Sequence, residues 1–264
     1  MVLFFVGLGL GNEKDITLRG LEAVKTSSKV YLERYTSVLG VDKSALEKLY
    51  GKPILYADRE TVESNAETIF EKAEVDDVAF LVVGDPLCAT THTDLMIRAK
   101  QRNIAVEVIH NTSIMGAVAS CGLQLYNFGQ TVSLCLWDKD LDWTPSSYYE
   151  KIKYNIEGGM HTLCLLDIKM KEPDFSEMSK GRIKYMSPQF MNVNQALSQL
   201  LEVEEERKEG VITNDTLVVG LARVGQPSQK IISGKIKDMI GIDFGPPLHS
   251  LIIVGNTHPL EREA

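Results

Sequence analysis

Six uninterrupted apolar residues, Val78-Ala-Phe-Leu-Val-Val83, follow Asp77 and run into Gly84-Asp85-Pro86. A strand with one wet face alternates apolar and polar residues. A run that is apolar at every position marks a strand covered on both sides, the central strand of a parallel sheet. Such a sheet needs crossover connections, usually helices, and the sequence supplies that rhythm. Val2–Val6, Lys29–Glu33 and Ala105–Ile109 read as further strands, while Ile16–Ser27, Asp42–Tyr50, Glu60–Lys72 and Thr93–Gln101 carry helical spacing. Asp15 is the candidate N-cap of the first helix, and Gly51 and Pro53 end the second. The expectation is an α/β fold whose N-terminal parallel sheet is covered by helices on both faces.

Ser113–Cys121 begins another helix, and near Phe128–Thr131 the pattern changes. Thr131–Leu136 is strand-like, Trp143-Thr144-Pro145 opens a helix reaching about Ile156, and Thr162–Ile168 is a buried strand. Asn192–Gly210 is a long amphipathic helix whose charged tail, Glu202–Lys208, reads as a solvated face. Thr216–Ala222, Gln229–Ile236 and His249–Val254 follow as strands. The reading is two domains, residues 1–128 and 129–264.

Bulk properties narrow the partners. A formal charge of −8 argues against non-specific binding to nucleic acid or an anionic membrane. The first apolar run, six residues long, is far short of the roughly 20 needed to span a bilayer, and no signal peptide is visible, so the cytosol is the expected location. Cys88, Cys121, Cys135 and Cys164 form no C-x-x-C pair and read as small hydrophobes in a reducing compartment. The five histidines show no H-x-x-x-H or His/Cys spacing, so no metal is expected.

The first strand ends in Gly7-Leu-Gly9-Leu10-Gly11-Asn12. A nicotinamide or flavin dinucleotide site wants G-x-G-x-x-G opening straight into a helix, with an acidic residue about 20 positions on. Gly7 and Gly9 fit, but Asn12 stands at the third place and the helix starts late, behind two carboxylates. Glu33 nevertheless remains available as an acidic ribose partner. No G-x-x-x-x-G-K-[ST] phosphate loop occurs. Two further loops, Gly84–Thr91 and His110–Ser113, end strands of the same predicted sheet, and ligands of such sheets bind beyond the carboxyl ends of strands. One small cofactor touching all three loops is consistent with this arrangement.

These loops together, with Asp15-Ile-Thr and Asn111-Thr-Ser-Ile114, resemble the tetrapyrrole methylase class of S-adenosylmethionine methyltransferases. Within that class the diphthine synthase branch is the more similar. Its wording appears in Ala89-Thr-Thr-His-Thr-Asp94, Cys121-Gly-Leu-Gln-Leu-Tyr126, Gly159-Met-His-Thr-Leu-Cys-Leu-Leu-Asp-Ile168, Gly220-Leu-Ala-Arg-Val-Gly225 and Pro247-Leu-His-Ser-Leu-Ile-Ile253. The resemblance spans essentially the whole chain. It implies two α/β domains, the second with a mixed sheet, S-adenosylmethionine in the inter-domain cleft, S-adenosylhomocysteine as product, and a homodimer. It also implies cofactor contacts at Leu10, Asp85, Cys88, Ser113, Ile114, Leu166, Val224 and His249. The implied substrate is elongation factor 2 carrying a 3-amino-3-carboxypropyl-histidine, methylated on its amine and its carboxylate. Relatives of this branch often carry glycine or valine where Cys88 stands, a change that a backbone contact survives.

Each of these residues also has a plain reading: Leu166 and Val224 as core, His249 as a satisfied strand-end histidine, Asp85 as a turn carboxylate, Ser113 as a helix cap. No catalytic acid or base is named; His110 and His249 are candidate proton acceptors, each read first as structural or cofactor-facing. The rival substrate inside the class is a tetrapyrrole such as uroporphyrinogen or a precorrin, whose many carboxylates favour a basic cleft. The chain is acidic, and its densest basic stretch is only Arg182–Lys184. Outside the class the rivals are a nicotinamide oxidoreductase and a non-catalytic nucleotide-binding module.

Overall fold

The computed structural model describes residues 1–171 and 184–263; Arg182, part of the basic stretch, lies outside them. Two compact units result. One comprises Met1–Met115, Lys169–Pro188 and Gly225–Pro227; the other comprises Gly116–Ile168, Gln189–Val224 and Ser228–Ala264.

In the first unit, β1 (Val2–Gly7), β2 (Lys29–Glu33), β3 (Leu55–Ala57), β4 (Val78–Val82) and β5 (Ala105–Ile109) form one sheet in the order β3-β2-β4-β1-β5. Every pairing is parallel. The all-apolar strand β4 holds the centre, as its composition requires. Successive side chains point to opposite faces. On one face Phe5, Phe80 and Val82 pack against Ile69 and Phe70 of helix Glu67–Val75 and Leu95 of helix Thr93–Gln101. On the other, Val6, Leu32 and Leu81 meet Val24 of helix Leu18–Thr26 and Leu46 of helix Lys43–Tyr50. Helices therefore cover both faces, as predicted.

In the second unit, β6 (Val132–Leu134), β7 (Thr162–Leu166), β10 (Leu217–Ala222), β11 (Lys230–Lys235) and β12 (His249–Ile253) form a mixed sheet in the order β11-β10-β12-β7-β6, parallel only between β6 and β7. The short strands β8 (Ile168–Lys169) and β9 (Gln189–Phe190) lie outside both five-stranded sheets. Helix Val193–Arg207 opens with a capping box: the Asn192 side chain accepts from Gln195 N–H while the Gln195 side chain accepts from Asn192 N–H.

Several local expectations are corrected. Thr17, not Asp15, caps the first helix, accepting from Gly20 N–H at 3.0 Å. The Glu60–Lys72 helix divides into a turn over Glu60–Ser64 and a helix over Glu67–Val75, because Asn65 leaves helical backbone geometry. The second-unit helix starts at Tyr148 rather than at Trp143, whose N–H and C=O both pair with Asp138. The Thr162–Ile168 strand ends at Leu166; Asp167, whose carboxylate accepts from Leu136 N–H, separates it from β8. All four cysteines are free thiols, but only Cys164 is fully buried. No helix among the described residues is long and apolar enough to cross a membrane.

Candidate functional site

The site residues of the first unit stand where the strand order reverses. From β1 the chain leaves toward β2; from the adjacent β4 it leaves the other way, toward β5. Loops that part in this way open the crevice used by open α/β sheets. Gly9 and Gly84 clasp the two loops together, each N–H donating to the other's carbonyl at 3.2 and 2.8 Å. A Cβ on Gly7 would stand 2.7 Å from both Gly84 O and Asn111 Cβ, so only glycine permits this approach.

Asp85 is the hub of the rim. It is buried; its Oδ1 accepts from Leu87 N–H at 2.9 Å, and its Oδ2 accepts from Asn111 N–H at 3.0 Å and meets His110 Nδ1 at 2.8 Å. Burial alone would raise its pKa. The N–H groups of Leu87 and Asn111, with the His110 ring, outweigh that and hold the carboxyl below its ordinary value. The side chain is thus committed to the turn, the plain reading from sequence, and what Asp85 presents outward is the backbone it shapes. Asn111 completes the frame: its Nδ2 donates to Gly7 O and Asp15 O, both at 2.9 Å. Gly11 N–H donates to Asp15 Oδ2 at 2.7 Å.

Around this frame lie the other predicted residues. The Gly84 Cα faces Ser113 and Leu10: a Cβ there would sit 3.8 Å from Ser113 Cα and 3.9 Å from Leu10 Cδ2. Ser113 is buried, Ile114 opens the short helix Ile114–Ala117, and Cys88 N–H donates to Asp85 O at 3.2 Å. Leu10, Asp85, Cys88, Ser113 and Ile114 are therefore brought together on one sheet edge.

Leu166, Val224 and His249 occupy one edge of the second unit's sheet. Strand β12 runs antiparallel to β7 and β10, so its start lies beside their ends: Ser250 pairs with Leu165, and His249 with Ala222. Leu166 belongs to the larger core cluster of this unit, and Val224 packs against a smaller one that includes Leu163 and Leu221. The His249 ring is buried. Its Nε2 lies 3.0 Å from both Gly245 O and Pro246 O, so this nitrogen carries the proton. Nδ1 is buried and has no hydrogen-bond partner among the described residues. Burial, chiefly, lowers the pKa and keeps the ring neutral. A buried lone pair without a donor is costly, and it fits a ligand that supplies one.

Asn111 and Asp15 stood in the motifs, but sequence reasoning missed their bracing roles, which depend on partners across the loops. It also left Glu33 open to a ribose. Glu33 is buried, and its carboxylate accepts from Tyr35 N–H at 2.5 Å, Thr36 N–H at 2.6 Å and Thr36 Oγ1 at 2.7 Å. It closes its own turn. The acidic group that a dinucleotide's ribose would use is therefore already engaged.

Residues 2–240 match the family model of the tetrapyrrole (corrin/porphyrin) methylases. The chain belongs to that family. This methylase is 56% identical over 265 residues to the diphthine methyl ester synthase of Dictyostelium discoideum, covering 100% of this chain and 96% of that protein. It is 54% identical to the diphthine methyl ester synthase of Homo sapiens, with 99% and 93% covered. Among solved structures, a proposed diphthine synthase from Entamoeba histolytica superposes with a TM-score of 0.88 at 48% identity, covering 99% and 96% of the two chains. A crystal structure of a diphthine synthase gives 0.83 at 30% identity, covering 100% and 94%. The methylase lies within the diphthine synthase branch that its motifs resemble.

Proposed function

We propose that this methyltransferase acts in diphthamide biosynthesis, transferring methyl groups from S-adenosylmethionine to the amine and carboxylate of a 3-amino-3-carboxypropyl-histidine on elongation factor 2. The observation that carries the reading is the full-length similarity to diphthine methyl ester synthases at 54–56% identity. Leu10, Asp85, Cys88, Ser113, Ile114, Leu166, Val224 and His249 are the proposed cofactor contacts. The interlocked glycine loop and the free His249 Nδ1 suit a ligand held by backbone, apolar surface and few polar contacts.

S-adenosylmethionine supplies an electrophilic methyl on a sulfonium with a neutral leaving group. A carboxylate of reference pKa near ~3.5 is already an anion at neutral pH and needs no general base. An amine of reference pKa near ~8 is roughly one-tenth neutral at pH 7. What the chain must supply is mostly positioning, worth up to roughly 7–11 kcal/mol. That suits a site whose titratable groups are engaged in structure: Asp85 braces the loops and His249 stays neutral.

The same reading includes a homodimer, a cytoplasmic location and a division into domains at residues 128/129; sedimentation, fractionation and limited proteolysis test these. The decisive experiment offers labelled S-adenosylmethionine with two acceptors: elongation factor 2 bearing the unmethylated extension, and uroporphyrinogen III. Label in the protein is expected, and product mass counts the methyls. Label in the tetrapyrrole alone overturns the proposal.

A further inference from the structure

Arg223 lies between β10 and Val224 in left-handed backbone geometry, φ 50°, unusual for a residue with a side chain. Its N–H donates to Leu248 O at 2.8 Å, which fixes it against the start of β12. Among the described residues its guanidinium meets no carboxylate but spreads over two turns. Nε donates to Ser228 Oγ at 3.0 Å and Ser228 O at 3.1 Å, and Nη2 to Ser228 O at 2.9 Å. Nη1 donates to Phe244 O at 2.9 Å and also to Pro246 O. Every acceptor is a neutral oxygen. A planar fork serves this geometry; a single ammonium cannot span it.

The Pro246 carbonyl is shared: it also accepts from His249 Nε2. Phe244, whose carbonyl Arg223 holds, places its ring 6.0 Å from the His249 ring and seats its edge on Gly220, where a Cβ would stand 2.4 Å from Phe244 Cζ. The carbonyls that decide which His249 nitrogen keeps the proton are therefore carried by a turn that Arg223 braces.

We propose that Arg223 is a positioning residue: by holding the Phe244–Pro246 carbonyls it fixes His249 in the Nε2–H tautomer and presents the Nδ1 lone pair to an N–H or O–H of the bound cofactor. This rests on the reading of His249 as a cofactor contact. It assigns the arginine of the Gly220–Gly225 motif a role beyond salt bridging or surface charge.

The test uses the full chain and Arg223→Ala, Arg223→Lys and His249→Ala variants. Nitrogen-15 NMR of the histidine rings without ligand should show one Nε2–H tautomer for His249 in the parent. Arg223→Ala should show a tautomer mixture, and Arg223→Lys partial rescue, since an ammonium can reach one of the two carbonyls. Calorimetry should show S-adenosylhomocysteine binding weakened about tenfold in Arg223→Ala, equivalent to about 1.4 kcal/mol. The KM for S-adenosylmethionine should rise more than kcat falls. An unchanged tautomer with unchanged affinity in Arg223→Ala overturns the proposal. If Arg223→Ala does not fold, Arg223→Lys carries the same two readouts, and a parent-like tautomer and affinity there count against it. If His249→Ala leaves binding intact, the cofactor reading of His249 fails, whatever Arg223 does to the tautomer.

Discussion

His92 is 0% exposed and has its ring edge against two aromatic neighbours, Tyr35 at 6.1 Å and Phe80 at 5.2 Å. Neither ring nitrogen has a hydrogen-bond partner among the described residues. Burial drives its pKa down to about 4, whereas the unfolded chain titrates near ~6.5. Between these values the unfolded state binds a proton that the folded state refuses. Its contribution is therefore complete above about pH 6.5 and falls as pH drops toward 4, by about 3 kcal/mol at most. Denaturant midpoints at pH 7 and pH 5 should fall less in His92→Leu than in the parent; parallel losses would show that His92 is not responsible. The sequence displayed this histidine inside Ala89–Asp94 without revealing that it faces the aromatic core, because Tyr35 and Phe80 reach it through the tertiary fold.

The short helix Pro259–Glu263 acts through one side chain. Glu261 accepts from Gln124 N–H at 2.8 Å, Asn127 Nδ2 at 3.0 Å and His258 N–H at 2.7 Å, and faces His161 Nε2 at 3.3 Å. His161 Nδ1 in turn accepts from Gly255 N–H. Burial would raise the Glu261 pKa, but these donors outweigh it and bring it to about 2. A depressed carboxyl stabilises the fold above its unfolded pKa and loses that contribution as pH falls toward 2. Glu261→Gln should cost about 1–3 kcal/mol at neutral pH, and the gap to the parent should narrow at pH 3 in denaturant titrations. A gap independent of pH would remove the charge from the explanation. The strands were legible because burial on both faces leaves an all-apolar signature, as in Val78–Val83. β3 and this helix were not, since each is short and fixed by partners far along the chain. At the site, the glycines and Asp85 were visible as loop residues. That the Asp85 and Glu33 carboxylates are turned inward was not, because their donors are set by the turn.

At the scale of the whole molecule, the ligand that binds is the sharpest discriminator. A ligand that binds the folded chain alone raises its stability by about 2.7 kcal/mol at one hundred times its dissociation constant. S-adenosylhomocysteine should raise the melting temperature in that concentration-dependent way. NAD should not, because the Glu33 carboxylate that would take its ribose is already engaged within the protein. A shift with NAD alone would overturn the methyltransferase reading. The order β3-β2-β4-β1-β5 has a further consequence, for synthesis on the ribosome. Strand β1 lies between β4 and β5, and the Val2–Asp77 hydrogen bond beside it closes over 75 residues. At about 5–20 residues per second, Leu3-Phe-Phe-Val6 emerges and waits roughly 4–15 s before β4 has emerged in turn. During that interval an apolar strand with two open edges is exposed on the nascent chain, so chaperone capture should concentrate on this segment and end once β4 has cleared the exit tunnel.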